Sequence, residues 1–446
     1  MKNIRIALWS ILGVLTALWV AANLPFPEIT GFQSARNLFL QYSGVMAIGA
    51  MSVAMILAAR AKWLEPWLNG LDKSYRLHKW LGIFALVAAP LHWVAAKGPK
   101  WAVQWGLMDR PERGGPPAGM PELPAIQEFL NSMRGTAEAV GEWAFYATVV
   151  LIALALIKRF PYKLFVSTHT LIAIAYLALV GHSIVLMNFD SWTQPLGVIS
   201  GALMLGGVIS AVLALTRQIG RSKRVHGLID RIHSFPDMRV TEIDITLEDG
   251  WKGHDAGQFA FVTFDKREGK HPFTMASAWD PQTRKISFST KALGDYTNLM
   301  ADTLSIGGAA MVEGPYGRFT FHDTESRQIW IGGGIGITPF IARMKQLALM
   351  GNTGTIDLIH STPKTSDEAR ALLTADAKAA GVRLHLMVDD RDGMLTGDRL
   401  REMVPDWNTA SVWFCGPAAF GTSLRDDLAK NGLPSRRYHQ ELFNMR

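Results

Sequence analysis

Four histidines, His78, His92, His169 and His182, are the only ones in the first 220 residues of this 446-residue chain. All four fall in apolar segments, as two spaced pairs. An ionisable group inside an apolar membrane helix is costly and marks function by default. His78 and His92 are 14 residues apart, which on a helix is about 21 Å of rise and a return to within about 40° of one face. His169 and His182 are 13 apart; the rise is about 20 Å, but the second ring falls well off the face of the first. A kink, a local π-turn or a change of rotamer must compensate. If both segments run in the same direction, His78 meets His169 at one level and His92 meets His182 at the other. Two imidazoles per level suit the two axial positions of a haem iron, and closing both favours electron transfer over ligand binding. A lone membrane histidine is often only hydrogen-bonded to a neighbouring helix, but that does not account for four paired by level. A proton relay would recruit intramembrane Asp or Glu, and these segments hold essentially none. Arg36, at the start of another apolar segment, is either an end-anchor or a cation beside the outer pair.

The second half carries a different chemistry. His271-Pro272-Phe273-Thr274, with Ser277 just beyond, ends a β-type run and can present backbone and hydroxyl groups to a flat ring. Lys291, Gly294 and Thr297 offer a cation, a glycine-opened turn and a hydroxyl at a helix start, where free N–H groups bind phosphates. The run Gly332-Gly333-Gly334-Ile335-Gly336-Ile337-Thr338-Pro339 follows an apolar strand and opens a helix. Glycine there admits a pyrophosphate to the backbone, and the helix dipole favours its charge. Cys415-Gly416-Pro417 ends another strand and suits a shelf for a nicotinamide ring; the alternative is a buried core thiol.

The elements that must position these residues divide the chain. Six spans are expected near Ile4–Ala22, Leu38–Ala59, Leu77–Ala96, Trp143–Ile157, Leu164–Met187 and Leu196–Leu215, each near the ~20 residues a bilayer requires except the shorter fourth. The first is read as an anchor rather than a signal peptide. Arg60, Lys62, Lys73, Arg76 and Lys79, then Lys158, Arg159 and Lys163, then Arg217, Arg221, Lys223 and Arg224 all fall on one face, which is therefore cytoplasmic. The opposite loop at 97–142 is rich in Pro and Gly, has a short helix expected near Pro124–Met133, and receives no role. The fold class is a multi-domain membrane protein: a six-helix transmembrane bundle (1–216), a basic linker (217–226), an antiparallel β-barrel (227–322) and an α/β nucleotide-binding domain (323–446). Strands are expected at Val240–Leu247, Gln258–Thr263, Ile286–Ser289 and Ala309–Glu313. One cysteine excludes an intramolecular disulfide and an all-cysteine iron–sulfur site. The net charge of +7 sits at segment ends and does not indicate nucleic acid.

With these motifs in place, the whole chain resembles the ferric reductase/NADPH oxidase superfamily, including its bacterial members. Its membrane half is similar to the ferric-reductase-type haem domain, and its soluble half to ferredoxin–NADP reductase modules. The resemblance implies that His78, His92, His169 and His182 ligate two b-type haems. It implies that His271, Pro272, Phe273 and Thr274 bind the FAD isoalloxazine and that the region around Gly294 and Thr297 contacts the FAD phosphates. The glycine-rich run and Cys415-Gly416-Pro417 would bind the nicotinamide nucleotide, with Gly314-Pro315-Tyr316-Gly317 as the turn between subdomains. Near the C-terminus, Glu441 and Phe443 resemble an ending in which the aromatic covers the flavin and must move aside for hydride transfer. Arg36 resembles the outer-face arginine of the animal oxidases, whereas their additional histidine after the outer ligand is here Ala96.

The expected activity is transmembrane electron transfer from cytoplasmic NAD(P)H through FAD and two haems to an extracytoplasmic acceptor, either oxygen or a ferric chelate, in a bacterial inner membrane. Alternatives are an electron-supply subunit for a periplasmic protein and a redox sensor without fast turnover. No Asp or Glu stands at the immediate end of the Thr355–Ile359 strand, whereas His360, Ser361, Thr362 and Lys364 follow it; the expectation leans to NADPH over NADH.

Overall fold

The computed structural model describes residues 2–109, 123–157 and 159–441. Two compact units divide it, one of residues 1–64 and 73–219, the other of 65–72 and 220–445.

Among the described residues, six helices are long and apolar enough to cross a membrane. They are α1 (Lys2–Ala22), α2 (Phe32–Ala58), α3 (Leu71–Gln104), α4 (Ala125–Leu156), α5 (Tyr162–Leu186) and α6 (Pro195–Leu215). A helix satisfies its backbone groups internally, which is why apolar segments take this form in lipid. Three helices exceed the expected spans. The short helix expected near Pro124–Met133 and the short fourth span are one 32-residue helix, α4. No proline interrupts residues 125–156, and an isolated glycine weakens a helix without ending it. α3 likewise runs through Pro90 and Pro99. The Pro- and Gly-rich stretch of the 97–142 loop, at 113–117, lies outside the described residues.

Small residues let the helices approach closely. The buried side of α6 carries Gly197, Ser200, Gly207, Ser210 and Ala211. A Cβ at Gly207 would collide with the Tyr176 hydroxyl of α5. Tyr176 is fully buried, and its hydroxyl lies 2.8 Å from Ser52 Oγ of α2 and 3.3 Å from the Met204 carbonyl of α6. One side chain thus joins three helices.

The second unit contains two sheets. The first holds β1 (Arg224–Phe235), β2 (Val240–Leu247), β3 (Phe259–Thr263), β4 (His271–Thr274), β5 (Lys285–Lys291) and β6 (Ala309–Tyr316). Their order is β4-β3-β6-β1-β2-β5, and the paired strands are antiparallel. A bridge from Met275 to Phe288 links the chain after β4 to β5, the opposite edge. Helix α7 (Asp295–Thr303) follows β5. The expected linker at 217–226 instead contains a short 3₁₀ turn and the start of β1. Arg224, His226, Asp230 and Arg231 make that strand read as polar, yet Val225 and Ile229 on its inner face are buried in the core.

The second sheet holds β7 (Arg327–Gly333), β8 (Thr355–Thr362), β9 (Arg383–Val388), β10 (Ser411–Cys415) and β11 (Tyr438–Gln440), all parallel in the order β11-β10-β7-β8-β9. Helices α8 (Thr338–Met350), α9 (Asp367–Ala379), α10 (Gly397–Met403) and α11 (Ala418–Lys430) connect the strands. The middle strands β7 and β10 carry apolar runs, as strands covered on both faces require; Ile329, Trp330, Ile331 and Phe414 are wholly buried.

Replacing Tyr176 by Phe removes the hydroxyl from both neighbours and is expected to cost about 1 kcal/mol. Gly207→Val, which meets the ring directly, is expected to cost more. Thermal unfolding of the detergent-solubilised protein checks the order: wild type, then Tyr176→Phe, then Gly207→Val.

Candidate functional site

The structure brings the four membrane histidines together in two pairs. The His78 and His169 ring centres are 5.7 Å apart, and those of His92 and His182 are 6.4 Å apart. α5 is α-helical from Tyr162 to Leu186 without a π-turn, so side-chain direction absorbs the 13-residue offset between His169 and His182.

Backbone and hydroxyl partners orient the rings. His78 Nδ1 lies 2.8 Å from the Ala54 carbonyl of α2, and His182 Nδ1 lies 2.8 Å from the Ala137 carbonyl of α4. A carbonyl can only accept, so each Nδ1 carries the proton and each Nε2 keeps its lone pair. His92 Nδ1 is 3.0 Å from Ser43 Oγ, and that hydroxyl donates to the Phe39 carbonyl at 2.7 Å. The hydroxyl therefore accepts from His92. His169 differs: Nδ1 is buried without a hydrogen-bond partner, and the ring stacks on Phe165 with centres 5.1 Å apart. Gly141 makes the His182 seat possible, because a Cβ there would overlap the imidazole.

His78 with His169, and His92 with His182, are spaced as two imidazoles that would hold one haem iron between them. Two imidazoles on opposite sides of one metal ion place their centres about 6 Å apart, given metal–nitrogen bonds of about 2.1 Å. Among the described residues, no group of three or more His, Cys, Asp or Glu could hold a bare metal ion. A two-ligand site suits a metal that arrives with its equatorial donors.

Other side chains gather near the His92–His182 level. Pro99 lacks an N–H and so frees the carbonyl of Ala95, four residues earlier in α3. Arg36 Nε donates to that carbonyl at 2.8 Å, and its second guanidinium nitrogen to Ala96 at 3.1 Å. Arg36 therefore braces the interrupted turn of α3, one turn beyond His92. The lengthened α4 also carries a part-exposed carboxylate, Glu142, one residue before the span expected at Trp143–Ile157. Glu142 accepts from Lys97 Nζ at 2.7 Å, from the Tyr146 hydroxyl at 2.8 Å and from Trp93 Nε1 at 3.4 Å.

In the second unit, His271, Pro272, Phe273 and Thr274 form β4, an edge strand paired only to β3 along its length. One row of its backbone groups therefore points away from the sheet. His271 stacks on Tyr296 of α7, with ring centres 4.6 Å apart and planes 16° apart. Burial lowers the His271 pKa. Ser277 Oγ accepts from the Ser287 N–H at 3.0 Å. Lys291 ends β5. Thr297 Oγ1 accepts from the Leu293 and Gly294 N–H groups, each at 3.0 Å. Those two N–H groups and the Thr297 hydroxyl thus cap α7 rather than standing open.

The two glycine motifs lie side by side. Gly332 pairs with Cys415 across β7 and β10. The chain leaves β7 towards β8 on one side, while β10 lies on the other, so this is the point where the strand order reverses. In open α/β sheets such a point, at the C-terminal strand ends, is where ligands bind. Gly334 adopts φ +57°, and a Cβ there would meet nothing within 4 Å; the left-handed backbone favours glycine, and the space above it is open. A Cβ at Gly336 would collide with the Cys415 carbonyl, and one at Gly416 would come within 3.0 Å of Gly333 Cα. Thr338 and Pro339 start α8, whose N-terminus faces the same turn. His360, beside Gly332 on β8, places Nε2 3.1 Å from the Gly334 carbonyl. Burial holds its pKa down at about 4, so it is neutral near pH 7 and donates Nε2–H to that carbonyl. Cys415 is wholly buried, and its Sγ donates to Glu441 Oε2 at 3.7 Å. Burial, then the neighbouring carboxylate, raises its pKa, so the thiol stays protonated. Pro417 precedes α11. Phe443 lies outside the described residues.

Residues 43–180 match the family model described as the ferric reductase like transmembrane component. The chain is 26% identical over 173 residues to the glycine betaine monooxygenase reductase subunit of Chromohalobacter salexigens, covering 35% of this chain and 47% of that one. It is 29% identical over 206 residues to the stachydrine N-demethylase reductase subunit Stc4 of Rhizobium meliloti, covering 43% and 58%. It is 24% identical over 196 residues to a flavohemoprotein of Pseudomonas aeruginosa, covering 41% and 48%. The chain thus spans about half the length of these relatives. A solved flavohemoglobin from Malassezia yamatoensis aligns over 92% of this chain and 98% of its own, at 17% identity and a TM-score of 0.48.

Gly141→Val is expected to unseat His182 while leaving the His78–His169 pair intact. Pyridine haemochrome analysis of the purified variant should find about one haem equivalent fewer per chain than in wild type.

Proposed function

We propose that this chain, a ferric-reductase-like transmembrane component joined to a flavin- and nicotinamide-nucleotide-type reductase module, carries electrons across a bacterial inner membrane. The observation that carries this reading is the stacking of two histidine pairs along α3 and α5 in a chain that also holds the paired glycine turns. The six-stranded sheet, drawn towards closure by the Met275–Phe288 bridge, would be the FAD-binding barrel. FAD accepts a hydride and releases electrons singly, and each haem carries one electron. The remaining steps belong to residues of the chain. The turn at Gly332–Gly336 and the α8 N-terminus hold the pyrophosphate of the nucleotide. Gly416 and the neutral Cys415 thiol leave room for the nicotinamide without introducing a charge. Edge strand β4 presents backbone groups to the flavin. His78 and His169 hold the inner haem, His92 and His182 the outer one. The basic connections support a cytoplasmic reductase module, with electrons leaving on the opposite face.

The adenosine end of the nucleotide site favours NADH, against the leaning from sequence. Ser361 Oγ donates to Asp389 Oδ1 at 3.3 Å, and Thr362 Oγ1 donates to the Lys364 carbonyl at 3.0 Å. The hydroxyls expected to meet a 2′-phosphate are thus turned inward. Asp389, at the tip of the neighbouring strand β9, supplies a carboxylate that repels a phosphate and can accept from a ribose diol. The acceptor outside is a ferric chelate or oxygen. The relatives named as reductase subunits support a protein acceptor as the second reading.

Two outcomes are expected. His92→Ala should leave flavin reduction by nucleotide unchanged in stopped-flow spectra and abolish reduction of an acceptor outside sealed vesicles; persistent reduction outside would refute the electron path. The KM for NADPH should exceed that for NADH at least about tenfold through like-charge repulsion, and Asp389→Ser should narrow the gap.

A further inference from the structure

Glu313 is a buried carboxylate where the strand pattern calls for an exposed side chain. Val312 of β6 packs into the core of the six-stranded sheet, so the next residue, Glu313, points to the outer face. Yet Glu313 is only 2% exposed. The chain entering β1 covers it. Gly220 follows the end of α6 at Leu215 by five residues. A Cβ at Gly220 would overlap the Glu313 carboxylate, and its φ of +73° is a left-handed conformation that glycine takes freely.

Several groups converge on this carboxylate. Arg224 Nε of β1 donates to it at 3.2 Å, Lys270 Nζ at 3.4 Å and the Tyr316 hydroxyl of β6 at 2.9 Å. Lys223 Nζ stands 4.1 Å from the centre of the Tyr316 ring. A buried carboxylate requires such pairing, and removing its charge strands the cations around it. The cations come from two particular places. Lys223 and Arg224 lie on the segment that arrives from α6. Lys270 immediately precedes His271, the first residue of β4. That strand is an edge, paired only to β3, so the Lys270 contact helps to fix the end at which it starts.

We propose that Glu313 is a positioning residue that ties the strand presented to the flavin to the segment arriving from the membrane span. The inference rests on the electron-transfer reading above. No bond is made or broken at Glu313. Its carboxylate holds β4 where its backbone groups meet the flavin, and holds that strand at a fixed offset from the entry into β1. Loss of the tie loosens the flavin and slows transfer out of it. Arrival of hydride depends instead on the glycine turns of the other sheet.

Two measurements on the full-length, haem-loaded protein in nanodiscs test this: FAD affinity by equilibrium dialysis, and stopped-flow reduction by NADH. Glu313→Gln should weaken FAD binding about tenfold. At saturating FAD it should slow haem reduction at least about tenfold while flavin reduction stays within about twofold of wild type. Glu313→Asp, which keeps the charge, should recover FAD affinity to within about threefold. Lys270→Met removes only the arm to β4. Lys270 is partly exposed, so this variant is expected to fold, and its FAD affinity should fall at least about threefold. If Glu313→Gln does not fold, Lys270→Met carries the test alone. Unchanged FAD affinity in Lys270→Met would overturn the proposal. Glu313→Gln slowing flavin reduction as much as haem reduction would also overturn it, reducing the cluster to a structural staple. FAD that fails to bind wild type would overturn the electron-transfer reading as well, whereas FAD bound equally by every variant overturns this inference alone.

Discussion

An imidazole inside an apolar bundle must find partners for two nitrogens, and the organisation of the membrane unit follows from how that is met. Helical carbonyls are already used within their own helix, yet each has a second lone pair. Ala54 and Ala137 lend theirs to His78 and His182. The bond fixes the tautomer, orients the ring and leaves Nε2 with its lone pair. For a neighbouring backbone to come so near, side chains must be absent or small where the ring lies, as at Gly141. The lateral packing then has to hold those distances. The Tyr176 contacts across α2, α5 and α6 do part of this, and Arg36 restores the turn of α3 that Pro99 interrupts.

The second unit follows the same rule of close backbone approach, for a different purpose. Gly333 and Gly416 bring two turns together almost backbone to backbone at the reversal of strand order. Two groups support them: His360, held unprotonated by burial, and Cys415, held protonated by burial and the neighbouring Glu441 carboxylate. In both units the chain supplies position and polarity; under the proposed function the redox chemistry would belong to bound groups.

Much of this was legible in the sequence because it depends on residue type and spacing. The four histidines declare themselves by chemistry, and the glycine-rich turn by the strand before it and the helix after it. What escaped has no side-chain signature. A carbonyl acceptor such as Ala54 or Ala137 looks like any alanine. Gly141 looks like a weak point in a helix until the ring beside it is seen. The single helix α4 was hidden because Asn131, Ser132, Arg134, Thr136, Glu138 and Glu142 interrupt its apolar pattern, so hydropathy separates what the backbone joins. Glu142, part-exposed, pairs there with Lys97. Strand β1 was masked by charged residues on its outer face. Asp389 could not be placed beside the strand after Thr355 for a tertiary reason: it follows the next strand, and only the parallel pairing of β8 with β9 brings it to Ser361.

The central claim is that each level of the bundle holds one haem between two imidazoles. The direct measurement is the haem-to-protein ratio of the purified wild-type protein together with its low-temperature electron paramagnetic resonance spectrum. The account predicts two haems per chain, both low-spin with two nitrogen axial ligands. A ratio near zero, or a high-spin signal from a site with an open axial position, would contradict it.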